Sequence, residues 1–145
     1  MISLSSPLHV GIYDNNRLIN SYTTKEQTSE ALPLLFQEIL AQYQCRKLFF
    51  AKGPGSFMAI KISYVFLRTL SIALEIPLYA CDGFAFNDNR PIRAMRTLYF
   101  NKDALGSIQT KHFAQEVEQI FALPHVLDET LFSDDTAPLY ILPAV

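Results

Sequence analysis

The stretch Ala51–Ala80, AKGPGSFMAIKISYVFLRTLSIALEIPLYA, decides the fold of this chain. The apolar residues before it predict a strand at Lys47–Ala51, and the Gly-Pro-Gly that follows predicts a tight turn. A long apolar pattern then predicts a helix over Ser56–Glu75, which Pro77 ends. Leu78–Ala80 resumes as a strand. The stretch therefore predicts a β-α-β unit.

The predicted helix is apolar on more than one side. At about 100° per residue, one stripe collects its charges and two aromatic rings. That stripe holds Phe57, Lys61, Tyr64, Arg68, Ser71 and Glu75. The opposite side is expected to face the sheet, with Ala59, Ile62, Phe66, Leu70 and Ala73. Both flanks are apolar too, one with Ile60, Leu67 and Leu74 and the other with Met58, Val65 and Ile72. One sheet and one helix cannot cover this surface, so we expect a second molecule to do so.

The residues before this unit predict three short antiparallel strands and one helix. The strands are expected at Met1–Leu4, Leu8–Tyr13 and Arg17–Tyr22, with Asn15 and Asn16 in the turn between the last two. Thr28 opens an amphipathic helix, in which Pro33 is expected near the first turn. With right-handed crossovers, the strand order 3-2-1-4-5 is favoured. This is the mixed α/β, ribonuclease H-like plan.

Composition limits the classes of function. Among 145 residues, 12 are Lys or Arg and 14 are Asp or Glu, so the net charge of −2 argues against a direct nucleic-acid binder. The two cysteines have no partner at metal-ligand spacing, which predicts neither a disulfide framework nor a zinc site. The charges of Lys61, Arg68 and Glu75 oppose a membrane span, and no leader is recognised. We expect a cytoplasmic protein with no cofactor.

After Ala80 the patterns are weaker, and Asn89-Arg90-Pro91 marks an expected boundary. Residues 1–89 are predicted to form the main domain, and residues 90–145 a reduced segment that packs back on it. Within that segment we expect a strand pair or one long strand at Ile92–Phe100, a helix at Thr110–Phe121 and an extended piece at Pro138–Pro143.

Several motifs resemble those of the TsaB (YeaZ) family. Lys52–Phe57, KGPGSF, and Ile60-Lys61-Ile62 are similar to the family's RGPGSFTGLRIG, and Ala73–Leu78, ALEIPL, to its LALxxxIPL. Thr28–Pro33, TSEALP, is similar to HSExLLP, and Pro138-Leu139-Tyr140 to a closing PxYLR. The resemblance covers the first 89 residues well and the last third only in fragments. Typical members are longer, so the chain looks like an abridged member.

The resemblance implies an actin-like (ASKHA) domain that acts as a non-catalytic scaffold or activator. Its implied partner is the TsaD protein, which with the ATPase TsaE forms threonylcarbamoyladenosine beside the anticodon of tRNA. The chain would then meet tRNA only indirectly. Homodimers through the equivalent helices are also implied.

The chain departs from the family pattern at its start and after the turn. Met1–Ser6 reads MISLSS where members usually have ILAIDTS, so the acidic residue is missing. Met58 and Ala59 replace Thr and Gly, and Lys61 and Ser63 replace Arg and Gly. Thr28 also stands where members usually have His. The surface of the second helix therefore differs from that of typical members of the family.

Two groups of residues are candidate sites. Gly53, Pro54, Gly55 and Ser56 are interpreted as a structural turn whose serine caps the helix, although a helix N-terminus can also hold a phosphate. Exposed aromatics beside long cations are typical of interface centres. We therefore predict a partner interface on the helix, with Phe57, Ile60, Lys61, Tyr64 and Arg68. No catalytic or metal-binding residue is predicted.

Two classes of function remain open. The first is the accessory subunit just described. The second is a small ribonuclease H-like nucleotide-binding protein or phosphohydrolase, which would need carboxylates clustered at strand ends to hold magnesium. Asp14, Asp82 and Asp103 are too scattered in the sequence to predict such a cluster.

Overall fold

A computed structural model describes residues 1–141 of the chain. In these residues two helices and four strands form the first part of the chain, and three further strands follow. In chain order these are β1 Leu8–Asp14, β2 Arg17–Thr24, α1 Thr28–Gln42, β3 Leu48–Ala51, α2 Phe57–Leu74, β4 Leu78–Cys81, β5 Ile92–Met95, β6 Leu98–Lys102 and β7 Ile108–His112. Short 3-10 turns occur at Phe84–Phe86 and Glu129–Leu131.

The β-α-β unit is confirmed. β3 and β4 pair in parallel, from Leu48 with Leu78 to Ala51 with Cys81, and α2 crosses between them. The β1–β2 hairpin is confirmed as well, with Asn15 and Asn16 at φ of 51° and 64°. Asn tolerates this left-handed region better than most residues. The chain is therefore mixed α/β.

The five-stranded order 3-2-1-4-5 is not established, because the ladders form separate groups, β1-β2, β3-β4 and β5-β6-β7. The predicted first strand is reduced to a single bridge of Ile2 with His9. Its other neighbour is β3, since the Met1 amino group donates to the Phe49 oxygen at 2.8 Å and the Ala51 N–H donates to the Met1 oxygen at 3.0 Å. Four residues before the Ser-Ser-Pro turn are too few to form a full ladder.

Helix α1 begins at Thr28 as predicted, but Pro33 lies inside the helix, beyond its first turn. Its apolar side packs against α2, where the rings of Phe36 and Phe66 lie 5.2 Å apart. The main core joins both helices to the strands. Its buried members are Leu8, Val10, Ala31, Leu32, Phe36, Ile39, Leu48, Phe50, Leu67, Leu78 and Ala80.

Helix α2 is rotated by about one residue, or about 100°, relative to the prediction. Its buried stripe is Ile60, Ser63, Leu67 and Ser71, not the stripe that begins at Ala59. Two serines are accommodated because each forms a hydrogen bond: Ser63 with the Ser3 hydroxyl at 2.5 Å, and Ser71 to the Ile76 oxygen at 2.5 Å. Ile62, Phe66 and Leu70 are only partly buried, and Ala73 is exposed.

The prediction of a helix over Thr110–Phe121 is wrong. Its first residues belong to β7, which pairs with β6 from Leu98 with His112 to Lys102 with Ile108. Residues 113–128 have no helix or long strand. The apolar residues there find separate contacts, as Phe113 does edge-on to Tyr99 at 5.4 Å. Ile92–Phe100 is a strand pair, one of the two expected forms.

Strands β5 and β6 contact the first part of the chain. Ile92 and Phe100 share a second core cluster with Leu4, Ile60 and Phe84. The domain boundary at residue 89 stays a prediction. The extended piece at Pro138–Pro143 is described only to Ile141, where it forms no strand, and the rest lies outside the described residues.

Helix α2 is also apolar enough to be compared with a membrane-spanning helix. Among residues 1–141 it is the one helix long and apolar enough to cross a membrane by length and composition, and 22% of it is buried in the fold. Core helices of soluble proteins pass the same test, so this is weak support for a span.

Candidate functional site: the signature turn and helix α2

The signature turn, Lys52–Ser56, is a tightly packed junction. Gly53 has φ +129°, and a Cβ there would lie 2.7 Å from the Leu139 oxygen. A Cβ on Gly55 would lie 2.6 Å from the Leu4 oxygen, which accepts the Ser56 N–H at 3.0 Å. Only glycine fits such approaches. Both glycines are therefore required by packing.

Ser56 is the N-cap residue of α2, but the predicted side-chain cap does not form. Instead, its backbone N–H is directed to Leu4 and its carbonyl accepts the Ile60 N–H at 2.9 Å. The helix start is thus held by backbone contacts with the N-terminal segment.

The residues of the predicted partner interface have different environments. Ile60 is 1% exposed and belongs to the core, so it is not accessible to a partner. Phe57 and Lys61 are exposed. Tyr64 is half-buried under the Arg68 guanidinium, which lies 5.9 Å from the ring centre and donates to the Thr136 hydroxyl. The chain itself therefore covers part of this stripe, and its partner role stays a prediction.

A row of exposed apolar side chains lies on the next face of α2. Met58, Val65 and Ile72 are 66%, 54% and 69% exposed. They recur every seven residues, so they follow one side of the helix. We call these three residues the exposed row. The sequence analysis assigned these residues to a flank of the helix. Which apolar side faces solvent depends on the orientation of the helix in the fold.

A cavity of about 640 Å³ lies along β3, between β1, the end of α1 and residues 123–132. Three of its polar side chains, Asn16, Lys47 and Glu129, form a hydrogen-bonded cluster. The Glu129 carboxylate accepts from Asn16 at 3.0 Å and from Lys47 at 3.2 Å. The Asn16 bond and then Lys47 lower the pKa of Glu129. Sequence analysis missed this cluster, because its members lie far apart in the chain.

In residues 1–141 no three His, Cys, Asp or Glu side chains lie close enough to hold an ion. Asp82 pairs with Lys102 at 2.6 Å, and Asp103 accepts backbone N–H groups of its own turn at 2.9 Å.

In the native protein Cys45 is expected to react slowly and Cys81 not at all. Burial, and then the charge of Asp82, raise the pKa of Cys81 to about 12, and burial also raises the pKa of Cys45. Because the thiolate is the reactive form, a disulfide reagent at neutral pH should label Cys45 slowly and Cys81 only after denaturation. The Cys45→Ser chain should not react while folded. Rapid labelling of two thiols in the native chain would contradict this.

Comparison with known proteins agrees with the motifs. No family model matches the chain. The chain is 30% identical to the tRNA threonylcarbamoyladenosine biosynthesis protein TsaB of Buchnera aphidicola subsp. Acyrthosiphon pisum (strain APS), over 77% of the chain and 52% of that protein. It thus spans about half of the relative's length.

Two solved structures share the fold. YeaZ from Pseudomonas aeruginosa matches with a TM-score of 0.60 and 16% identity, over 85% of this chain and 62% of that one. An uncharacterized protein with similarity to peptidase YeaZ, also from Pseudomonas aeruginosa, matches with the same TM-score and coverage at 17% identity. These two matches show the fold, and the curated relative, together with the motifs around the signature turn, shows that the chain belongs to the TsaB (YeaZ) family.

Proposed function

We propose that the chain is a non-catalytic accessory subunit in the formation of threonylcarbamoyladenosine in tRNA. In this proposal it binds a TsaD-like subunit through α2, works with a TsaE-like ATPase in the cytoplasm, and meets tRNA only within the complex. The exposed row on α2, in a chain of the TsaB family, carries the proposal.

The exposed row supports docking of another apolar surface. Burying one large aliphatic side chain contributes about 1.5–3 kcal/mol, so Met58, Val65 and Ile72 together offer a substantial part of a binding free energy. Their seven-residue spacing fits a partner helix packed along α2. Phe57 and Lys61 border the row and extend it with the aromatic and cationic groups that interfaces favour.

The Val65→Glu/Ile72→Glu double variant should fold and fail to bind. Each carboxylate would have to be buried without a partner, and since about 1.4 kcal/mol changes affinity tenfold, we expect a loss of at least about 100-fold. Binding to the TsaD-like subunit of the same organism would be measured by calorimetry. In cells that depend on this chain, the variant should also lower the threonylcarbamoyladenosine content of tRNA.

The matched control places two carboxylates on exposed apolar residues elsewhere. Ile19 on β2 and Leu105 in the β6–β7 turn are 54% and 95% exposed. The Ile19→Glu/Leu105→Glu chain should bind like the wild type. If wild-type chain shows no binding to the TsaD-like subunit, the proposed function is wrong; if both double variants bind normally, the surface is wrong.

A further inference from the structure

The segment Ser133–Ile141, which we call the C-terminal strap, lies extended across β4 and α2. It begins as an added strand residue: Ser133 and Ala80 exchange two backbone hydrogen bonds, each of 2.9 Å. Edge-strand addition of this kind is a common way in which proteins bind extended peptides.

Two cations hold the polar part of the C-terminal strap. The Lys52 ammonium donates to the Asp135 backbone oxygen at 2.9 Å and lies 3.6 Å from the Asp135 carboxylate. The Lys52 side chain is only 13% exposed. Next along the strap, Thr136 is 3% exposed and accepts a hydrogen bond from Arg68. Lys52 and Arg68 therefore bind the Asp135 backbone oxygen and the Thr136 hydroxyl, and the Asp135 carboxylate, 73% exposed, adds an ion pair with Lys52.

The apolar part of the C-terminal strap is held at the signature turn. The Leu139 N–H donates to the Lys52 oxygen at 2.9 Å, and Leu139 lies so close to Gly53 that no side chain fits there. Beyond it, the Tyr140 ring packs edge-on to Phe57 at 5.5 Å. The turn and the start of α2 thus form an apolar binding surface for Leu139 and Tyr140, next to Lys52 and Arg68.

From these contacts we infer a peptide-binding groove, formed by the free edge of β4, Lys52, Gly53, Phe57 and Arg68. In this structure the C-terminal strap fills the groove in cis. In trans the groove takes an extended peptide of a partner protein with the same chemistry: an acidic residue and a hydroxyl residue, followed by proline, an aliphatic residue and an aromatic residue. The inference does not depend on the proposed function.

The C-terminal strap is suited to exchange with such a peptide. Residues 134–141 form no helix or strand, and Thr136 is the one buried residue among them. Asp134, Asp135, Ala137 and Tyr140 are exposed, while Leu139 and Ile141 are partly buried. Segments that are mostly exposed and lie outside regular secondary structure open locally at a lower free energy than the core. A tethered strap nevertheless competes at an effective concentration of about 1 mM, so an outside peptide binds well only when the strap is weakened.

The experiment uses the full chain with the strap loosened by Thr136→Arg and Leu139→Asp. The first change repels Arg68 and the second removes the apolar anchor, while the groove residues stay unchanged. The probe is a fluorescein-labelled peptide with the sequence of residues 133–141, SDDTAPLYI. Fluorescence anisotropy should show saturable binding to the loosened chain, and binding at least about tenfold weaker to the wild-type chain. If the loosened chain is not folded by circular dichroism, Leu139→Asp alone serves.

A charge exchange then tests the recognition itself. Lys52→Glu in the loosened chain should weaken peptide binding at least about tenfold, and a peptide carrying Asp135→Lys should recover part of the loss on that variant alone. A scrambled peptide should not bind. The inference is overturned if the folded loosened chain does not bind the peptide, if the wild-type chain binds it equally well, or if Lys52→Glu or scrambling has no effect.

Discussion

Leu67→Glu is expected to unfold the chain, whereas Val65→Glu, two positions away on the same helix, leaves it folded. Leu67 is 1% exposed and lies in the main core, while Val65 is 54% exposed in the exposed row. An unpaired carboxylate in a packed core is one of the few single changes that cost several kcal/mol, which is much of the stability of a typical domain. Urea titration followed by circular dichroism would show whether each variant is folded and would give its free energy of unfolding.

The pair also tests the orientation of α2. If Leu67→Glu unfolds at the wild-type urea concentration, the helix does not bury this stripe. The orientation predicted from sequence would instead make Phe66→Glu the unfolding change. In the structure Phe66 is only partly buried beside Phe36, so Phe66→Glu should cost less stability than Leu67→Glu.

Gly53→Ala is expected to be the most damaging conservative change at the signature turn. Gly53 has φ +129°, where residues with a side chain are strained, and its new methyl group would meet the Leu139 oxygen at 2.7 Å. Strained backbone costs about 1–3 kcal/mol, and overpacking adds about as much again. We therefore expect a loss of roughly 3 kcal/mol or more in the free energy of unfolding, measured by urea titration.

Gly106→Ala is the matched control, because Gly106 also has a positive φ, of +85°, but no atom lies within 4 Å of the position that its new methyl group would take. The free energy of unfolding of this variant should fall only by the cost of backbone strain, about 1–2 kcal/mol. Equal losses in the two variants would show that Leu139 moves away at little cost. That result would mean the C-terminal strap contributes little to the packing of the turn.

Much of the first half of the fold could be predicted from local sequence. Gly-Pro-Gly before a long apolar run and Ile76-Pro77 after it define the β-α-β unit, because they act within a few residues of where they stand. The Asn15-Asn16 turn was predictable for the same reason. Of the candidate site, the turn and the helix that carries the exposed row were predictable in the same way.

The orientation of α2 was not predictable from periodicity. The helix is apolar on several sides, so no side stands out as the one to bury. The serines Ser63 and Ser71 turn inward only because Ser3 and the Ile76 oxygen are there to pair with them. For the same reason Ile60 was placed in the interface, although it lies in the core.

The sequence by itself determined the β1–β2 hairpin, helix α1, the β-α-β unit and the family, since these depend on turn residues and short-range patterns. Only the tertiary structure decided that Thr110–His112 joins β7, that Glu129 meets Lys47, and that the C-terminal strap fills the groove beside the signature turn. These contacts join residues far apart in the chain. Their free energy depends on which surfaces the folded elements leave uncovered, and no local pattern encodes that.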